Sequence, residues 1–85
     1  MRELSSLPNI GKVVEKQLNE VGIYTYEDVK AIGAKNAWLK IQEIDASACI
    51  HRLMALEGAI RGVKKNELSE ECREDLKEFY QWKKR

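Results

Sequence analysis

Apolar residues recur along this chain at three- and four-residue intervals, with charged and polar residues between them, the pattern of amphipathic helices. A short helix from about Arg2 to Leu7 is expected to stop before Pro8, which disfavours helical geometry at the residue preceding it. The chain re-enters a helix near Lys12, where Val14, Leu18 and Val21 share one side and Glu15, Lys16, Asn19 and Glu20 the other. Gly22 reads as a left-handed cap, with Ile23 folding back onto the helix end. Thr25 and Asp28 approximate a capping box for the next helix, and Tyr24 and Val29 could staple its start. Gly33 interrupts that helix, and a further one from about Ala34 to Glu43 places Ala37, Trp38, Ile41 and Ile44 on its apolar side.

Asp45 is expected to cap the strongest helix, from about Ala46 to Gly62. Its broad apolar face holds Cys49, Ile50, Leu53, Leu56, Ile60 and Val63. Ala55, Gly58, Ala59 and Gly62 lie along it as small residues that would let a neighbouring helix approach, within the chain or across a dimer. Gly58 costs about 1 kcal/mol of helix propensity relative to Ala, which argues for a packing reason. The last helix begins after Ser69, with Glu70 and Glu71 in its first turn and Lys83, Lys84 and Arg85 at its end, matching the helix dipole. Cys72, Leu76, Phe79 and Tyr80 form its stripe, and Trp82 falls off the centre of it. The pattern therefore predicts an all-α fold of about five helices in one domain over residues 1–85.

Composition supports this and narrows the chemistry. A single Pro and five Gly argue against a turn-rich β fold, and an 85-residue chain needs one continuous core. Fifteen basic residues balance fourteen acidic ones, for a net charge of +1, so any contact with nucleic acid must be local. Cys49 and Cys72 lie outside any metal or redox spacing and read as helix residues facing the core. No apolar run approaches the roughly 20 residues of a membrane span, and no leader is evident, so the expectation is a cytoplasmic protein with no membrane partner. The single histidine, His51, has no catalytic partner at helical spacing, and Glu27-Asp28 and Glu70-Glu71 are first-turn acids rather than an acid–base pair. No catalytic residue, metal site, cofactor or small-molecule substrate is expected.

One segment carries chemistry. Leu7-Pro8-Asn9-Ile10-Gly11, followed by a helix and closed by Val21-Gly22-Ile23, resembles the helix-hairpin-helix DNA-binding motif, in which the hairpin reads apolar, Pro, Gly, apolar, Gly. Small residues let the backbone approach a phosphate, and free amides at a helix start point at it. The candidate contacts are Pro8, Asn9, Ile10, Gly11, Lys12 and Val13, with the amides of Ile10, Gly11 and Val13 as donors and Lys12 as the cation. The same residues equally suit a tight helix–helix corner, and Asn9 replaces the motif's first glycine. A second turn, Ile32-Gly33-Ala34 with Lys35, lacks two of the motif's turn residues.

The wider chain resembles the C-terminal domain of the TfoX family. The residues that carry this are Leu7 to Gly11, Leu18-Asn19-Glu20-Val21-Gly22-Ile23, Tyr26-Glu27-Asp28-Val29, Ile32 to Lys35, Ala37-Trp38-Leu39 and Leu53 to Ile60, nearly the full length to about Phe79-Tyr80. The resemblance implies a paired helix-hairpin-helix, SAM-domain-like bundle and a bacterial context of competence regulation. Full-length members carry an N-terminal domain that has no counterpart here. Two functions stay open: a module contacting the duplex DNA backbone without base specificity, or a protein-interaction or homodimer module. Tyr24, Trp82 and Gly58 are the candidate interface residues for the second.

Overall fold

The computed structural model describes residues 4–84 and contains five α-helices, α1 Lys12–Glu20, α2 Tyr26–Ile32, α3 Ala34–Ile44, α4 Ile50–Arg61 and α5 Glu70–Lys84. Two 3-10 turns, Leu4–Ser6 and Lys65–Glu67, precede α1 and α5. The first replaces the helix expected to start near Arg2; the chain ahead of Leu4 lies outside the described residues.

Helix ends follow local chemistry. α1 closes with Ile23 N–H donating to the Leu18 carbonyl at 2.8 Å and Gly22 N–H to Asn19 at 3.1 Å, with Gly22 at φ +88°. α4 closes in the same way, Val63 N–H reaching Gly58 at 2.9 Å and Gly62 N–H reaching Ala59 at 3.2 Å, with Gly62 left-handed. Both are Schellman endings, in which a left-handed residue lets two orphan carbonyls be satisfied. Thr25 and Asp28 form the capping box on α2, and Ser69 Oγ accepts from the Cys72 amide at the start of α5. The Tyr24 staple contributes little, since Tyr24 is mostly exposed while Ile23 beside it is buried.

The start of α4 departs from the expected position. Asp45 accepts instead from the backbone and hydroxyl of Ser47, from Gln17 Nε2 at 2.8 Å and from Arg52 Nη1 at 2.9 Å. Residues 46–49 therefore form a loop, and Cys49 is the residue preceding the helix. An Asp side chain that bonds its own backbone two residues on competes with helix formation. These contacts hold the Asp45 carboxyl well below the usual carboxylate range, the Ser47 hydroxyl contributing most, then Gln17 and Arg52.

One core unites these elements. Leu53, Met54, Ala55, Leu56, Gly58 and Ala59 are all buried, so α4 is covered on more than the single face expected. α3 contributes Ala34, Ala37, Trp38 and Ile41, at helical spacing, whereas Ile44 at its end is half exposed rather than inside. Trp38 is fully buried, with Nε1–H donating to the Cys49 carbonyl at 3.2 Å. α5 packs over it, with Phe79 and Tyr80 rings 6.0 and 5.5 Å from the Trp38 ring. The Tyr26 hydroxyl donates to the Ile60 carbonyl at 2.9 Å and ties α2 to the end of α4. Cys49 and Cys72 are free thiols, half-buried rather than fully inside. Burial, reinforced by Glu57 and Asp75 and opposed by Arg61 and Lys35, raises the Cys72 thiol above its ordinary value.

Candidate nucleic-acid interface

The first hairpin is nailed down at every third residue. Leu4, Leu7 and Ile10 are each at most 5% exposed, and they draw the 3-10 turn, the bend and the entry to α1 against the core. Leu7 N–H donates to Leu4 at 3.0 Å, and Ile10 N–H donates to Leu7 at 3.3 Å. The Ile10 amide is thus engaged within the turn, so it is not among the donors that face outward.

Asn9 occupies the left-handed region, φ +69°, and its side chain turns inward. Its Nδ2 donates to the Val63 carbonyl at 3.0 Å and to the Ala55 carbonyl at 3.4 Å, while Oδ1 accepts from the Lys65 amide at 3.0 Å. Asn9 therefore fastens the hairpin to α4 and the turn after it, and its role is positional rather than one of contact. Gly58 explains why the two can meet. A Cβ there would lie 2.6 Å from Asn9 Nδ2 and 2.7 Å from the Val63 carbonyl oxygen. Gly58 is buried against the chain's own hairpin, which removes it from any outer interface. At Gly58 the close approach is made by the hairpin, through Asn9.

Gly11, Lys12 and Val13 face solvent. Gly11 precedes α1 with extended geometry and no side-chain cap, so the amides of the helix's first turn have no intrahelical acceptor. Lys12 and Lys16 stand one turn apart, both exposed, and Val13 is 69% exposed. Pro8 is half-buried beside them. Glu15, half-buried, also lies in the first turn and limits the positive field there. The geometry can hold an anion at Gly11 to Val13, with Lys12 as its counter-charge.

The second turn is built differently. Gly33 adopts φ +88°, ψ +156°, a conformation essentially restricted to glycine, and it ends α2 and begins α3. Lys35 next to it pairs with Asp75 at 2.8 Å and lies over the Phe79 ring at 5.4 Å. Its charge is already balanced within the chain.

Tyr24 and Trp82 are both 63% exposed, on the turn between α1 and α2 and near the end of α5 respectively. Trp82 lies 6.3 Å from Phe79 with Lys83 over its ring. Among the described residues no helix is long and apolar enough to cross a membrane. A group that the sequence pattern did not single out also lies near the hairpin: His51, Met54, Lys65, Asn66 and Arg73 line a common cleft. The one available signal was Arg73, a cation in an otherwise acidic first helical turn.

Residues 1–80 match the family model described as the TfoX C-terminal domain. The chain belongs to that family. It is 34% identical over 76 residues, 89% of its length, to Protein Sxy of Escherichia coli (strain K12), and it spans 36% of that protein. Two solved structures from Listeria monocytogenes share the fold nearly end to end. One, described as an uncharacterized protein in a triclinic form, is 44% identical with a TM-score of 0.96, covering 98% of this chain and 94% of its own. The other, a protein of unknown function in a tetragonal form, is 47% identical with a TM-score of 0.90, covering 93% and 96%. The family is a competence-regulatory one, and the two Listeria structures share this chain's helical fold.

Proposed function

We propose that this TfoX C-terminal domain is a non-enzymatic, DNA-associated regulatory module that contacts the phosphate backbone through its first hairpin. The observation that supports the reading is the division of labour within that hairpin. Leu4, Leu7, Ile10 and the Asn9 side chain hold it rigidly to the core, while Gly11, Lys12 and Val13 face solvent at a helix start whose first amides have no intrahelical acceptor. A preorganised amide cradle with one adjacent lysine suits a phosphate and carries no base readout. The regulatory setting comes from the family. The match to about a third of Protein Sxy makes DNA-linked regulation a role proposed for this module and not a transfer of that protein's full activity.

The test is anisotropy of a labelled duplex titrated with the protein at several salt concentrations. Affinity should fall with salt at a log–log slope of roughly −2 to −4, as a few phosphate contacts require. Lys12→Glu should abolish the shift while the far-ultraviolet circular dichroism stays helical. Unchanged affinity in that variant, or no binding at low salt, would remove the hairpin from consideration.

A second reading rests on Trp82 and Tyr24, large rings exposed on an otherwise well-packed domain. Such rings are common anchors in protein interfaces. A homodimer formed through them would scatter light as twice the 9.8 kDa chain mass at micromolar concentration, and a monomer would exclude that version.

A further inference from the structure

Arg73 stands where helix electrostatics disfavour it. α5 opens with Glu70 and Glu71, which suit the positive end of a helix, yet the same turn carries a half-buried guanidinium. Its Nε donates to the Leu68 carbonyl at 3.1 Å and Nη2 to the Asn66 carbonyl at 2.8 Å. Carbonyls fix the plane of the group without cancelling its charge. Arg52 and Arg61 each have a carboxylate partner, whereas among the described residues Arg73 has none. The result is an oriented cation that forms no ion pair among the described residues.

That cation lines a cleft of about 230 Å³ with His51, Met54, Lys65 and Asn66, and no acidic side chain lines it. Met54 supplies an apolar floor and is 9% exposed. Ligand pockets for larger organic molecules run from roughly 300 to 1,000 Å³, so this cleft suits a smaller group. Lys65 also joins it to the hairpin, because its backbone amide is the one bonded to Asn9 Oδ1.

We propose that the cleft is a phosphate-binding subsite. Arg73 presents its remaining N–H groups as a fixed fork, the geometry that matches phosphate oxygens, and Lys65 and His51 flank it. For a polynucleotide the subsite takes a phosphate of the strand held at Gly11 to Val13, and in that form it rests on the hairpin reading above. The Lys65 amide is bonded to Asn9, and Lys12 follows three residues on, at most about 11 Å along the backbone, so the turn that carries Lys65 sits beside the hairpin. A free phosphate monoester offers the same chemistry, and the two sources are separable.

Two arms test this in phosphate-free buffer at fixed pH. In the first, duplex anisotropy is compared between wild type, Lys65→Gln and Lys12→Glu across salt. In the second, the ring protons of His51, the only histidine in the chain, are followed by NMR during titration with adenosine monophosphate, with adenosine as the control without phosphate. Lys65→Gln should weaken duplex binding severalfold and reduce the salt slope by about one. It should also suppress any His51 shift that the monophosphate produces and adenosine does not. Arg73→Gln should behave likewise, with its melting curve recorded because it also loses two bonds to carbonyls; Lys65→Gln keeps the test valid should that variant unfold. If Lys12→Glu loses the duplex while Lys65→Gln matches wild type and His51 stays silent, the cleft proposal falls and the hairpin reading survives. If no duplex binds but the monophosphate moves His51 in a Lys65-dependent way, the hairpin reading falls and the cleft stands as a site for free phosphate esters.

Discussion

Asn9 holds a conformation that costs an ordinary residue roughly 1–2 kcal/mol, and it does so because its side chain bonds three backbone groups far away in sequence, the Val63 carbonyl and Lys65 amide most closely. Glycine would relieve the strain at φ +69° but leave the Val63 carbonyl and the Lys65 amide without that partner. Unsatisfied groups of this kind cost about 1–3 kcal/mol each where water is excluded. Asn9→Gly should therefore destabilise the protein by about 1 kcal/mol or more, lowering Tm by roughly 4–8 °C per kcal/mol in a domain of this size. Gly58→Ala should destabilise too, by on the order of 1–3 kcal/mol, although Ala is the better helix former. Its Cβ would meet Asn9 Nδ2 and the Val63 oxygen within 2.7 Å. A urea double-mutant cycle should show the Gly58→Ala penalty shrinking in the Asn9→Gly background, and strict additivity would mean that the Asn9 contact is not what excludes a side chain at Gly58. Asn9 and Gly11 both tolerate positive φ by residue type; Gly11 keeps φ −93°, and the left-handed turn legible from residue type falls at Asn9. The partners of Asn9 were not legible, because a single sequence carries no sign that residues 9, 58, 63 and 65 converge.

Helices announced themselves wherever their ends are closed by neighbours in sequence. Gly22 with Ile23, Thr25 with Asp28, and Ser69 with Cys72 all act within six residues, and each was readable. Asp45 was misread for the opposite reason. Gln17, on α1, and Arg52, on α4, reach it from 28 and 7 residues away and hold it as a latch between those helices instead of a cap. That latch has a pH signature. The folded Asp45 carboxyl is depressed below its unfolded value of about 3.9, so its contribution is present above that value and is lost as pH falls below it. Asp45→Asn should melt below wild type at pH 7, and the gap should narrow progressively in melts between pH 5 and pH 2. A gap independent of pH over that range would show that the charge of Asp45 plays no part in holding α1 to α4.

At the scale of the whole molecule the order of helices and the single core were legible from spacing alone, and the family resemblance followed from motifs spread across the chain. The centrality of α4 was not, since its polar positions Glu57 and Arg61 pair with each other and hide how little of the helix is free. Nor was the cleft, whose residues come from α4, the 65–67 turn and α5. Because the hairpin anchors Leu4, Leu7 and Ile10 share the core with Trp38 and Leu56, unfolding should be a single transition. Near-ultraviolet dichroism of the tryptophans and far-ultraviolet dichroism of the helices should give the same midpoint, and an earlier near-ultraviolet loss would mean that the core loosens before the helices melt. The bonds from Asn9 to residues 55, 63 and 65 also set a timetable for a newborn chain. At translation rates of about 5–20 residues per second, the hairpin waits on the order of several seconds after Asn9 is polymerised before Lys65 exists to complete it. The surface proposed to meet DNA is therefore among the last parts of the module to take shape, and a nascent chain that stalls before Lys65 would display Lys12 without the cradle that orients it.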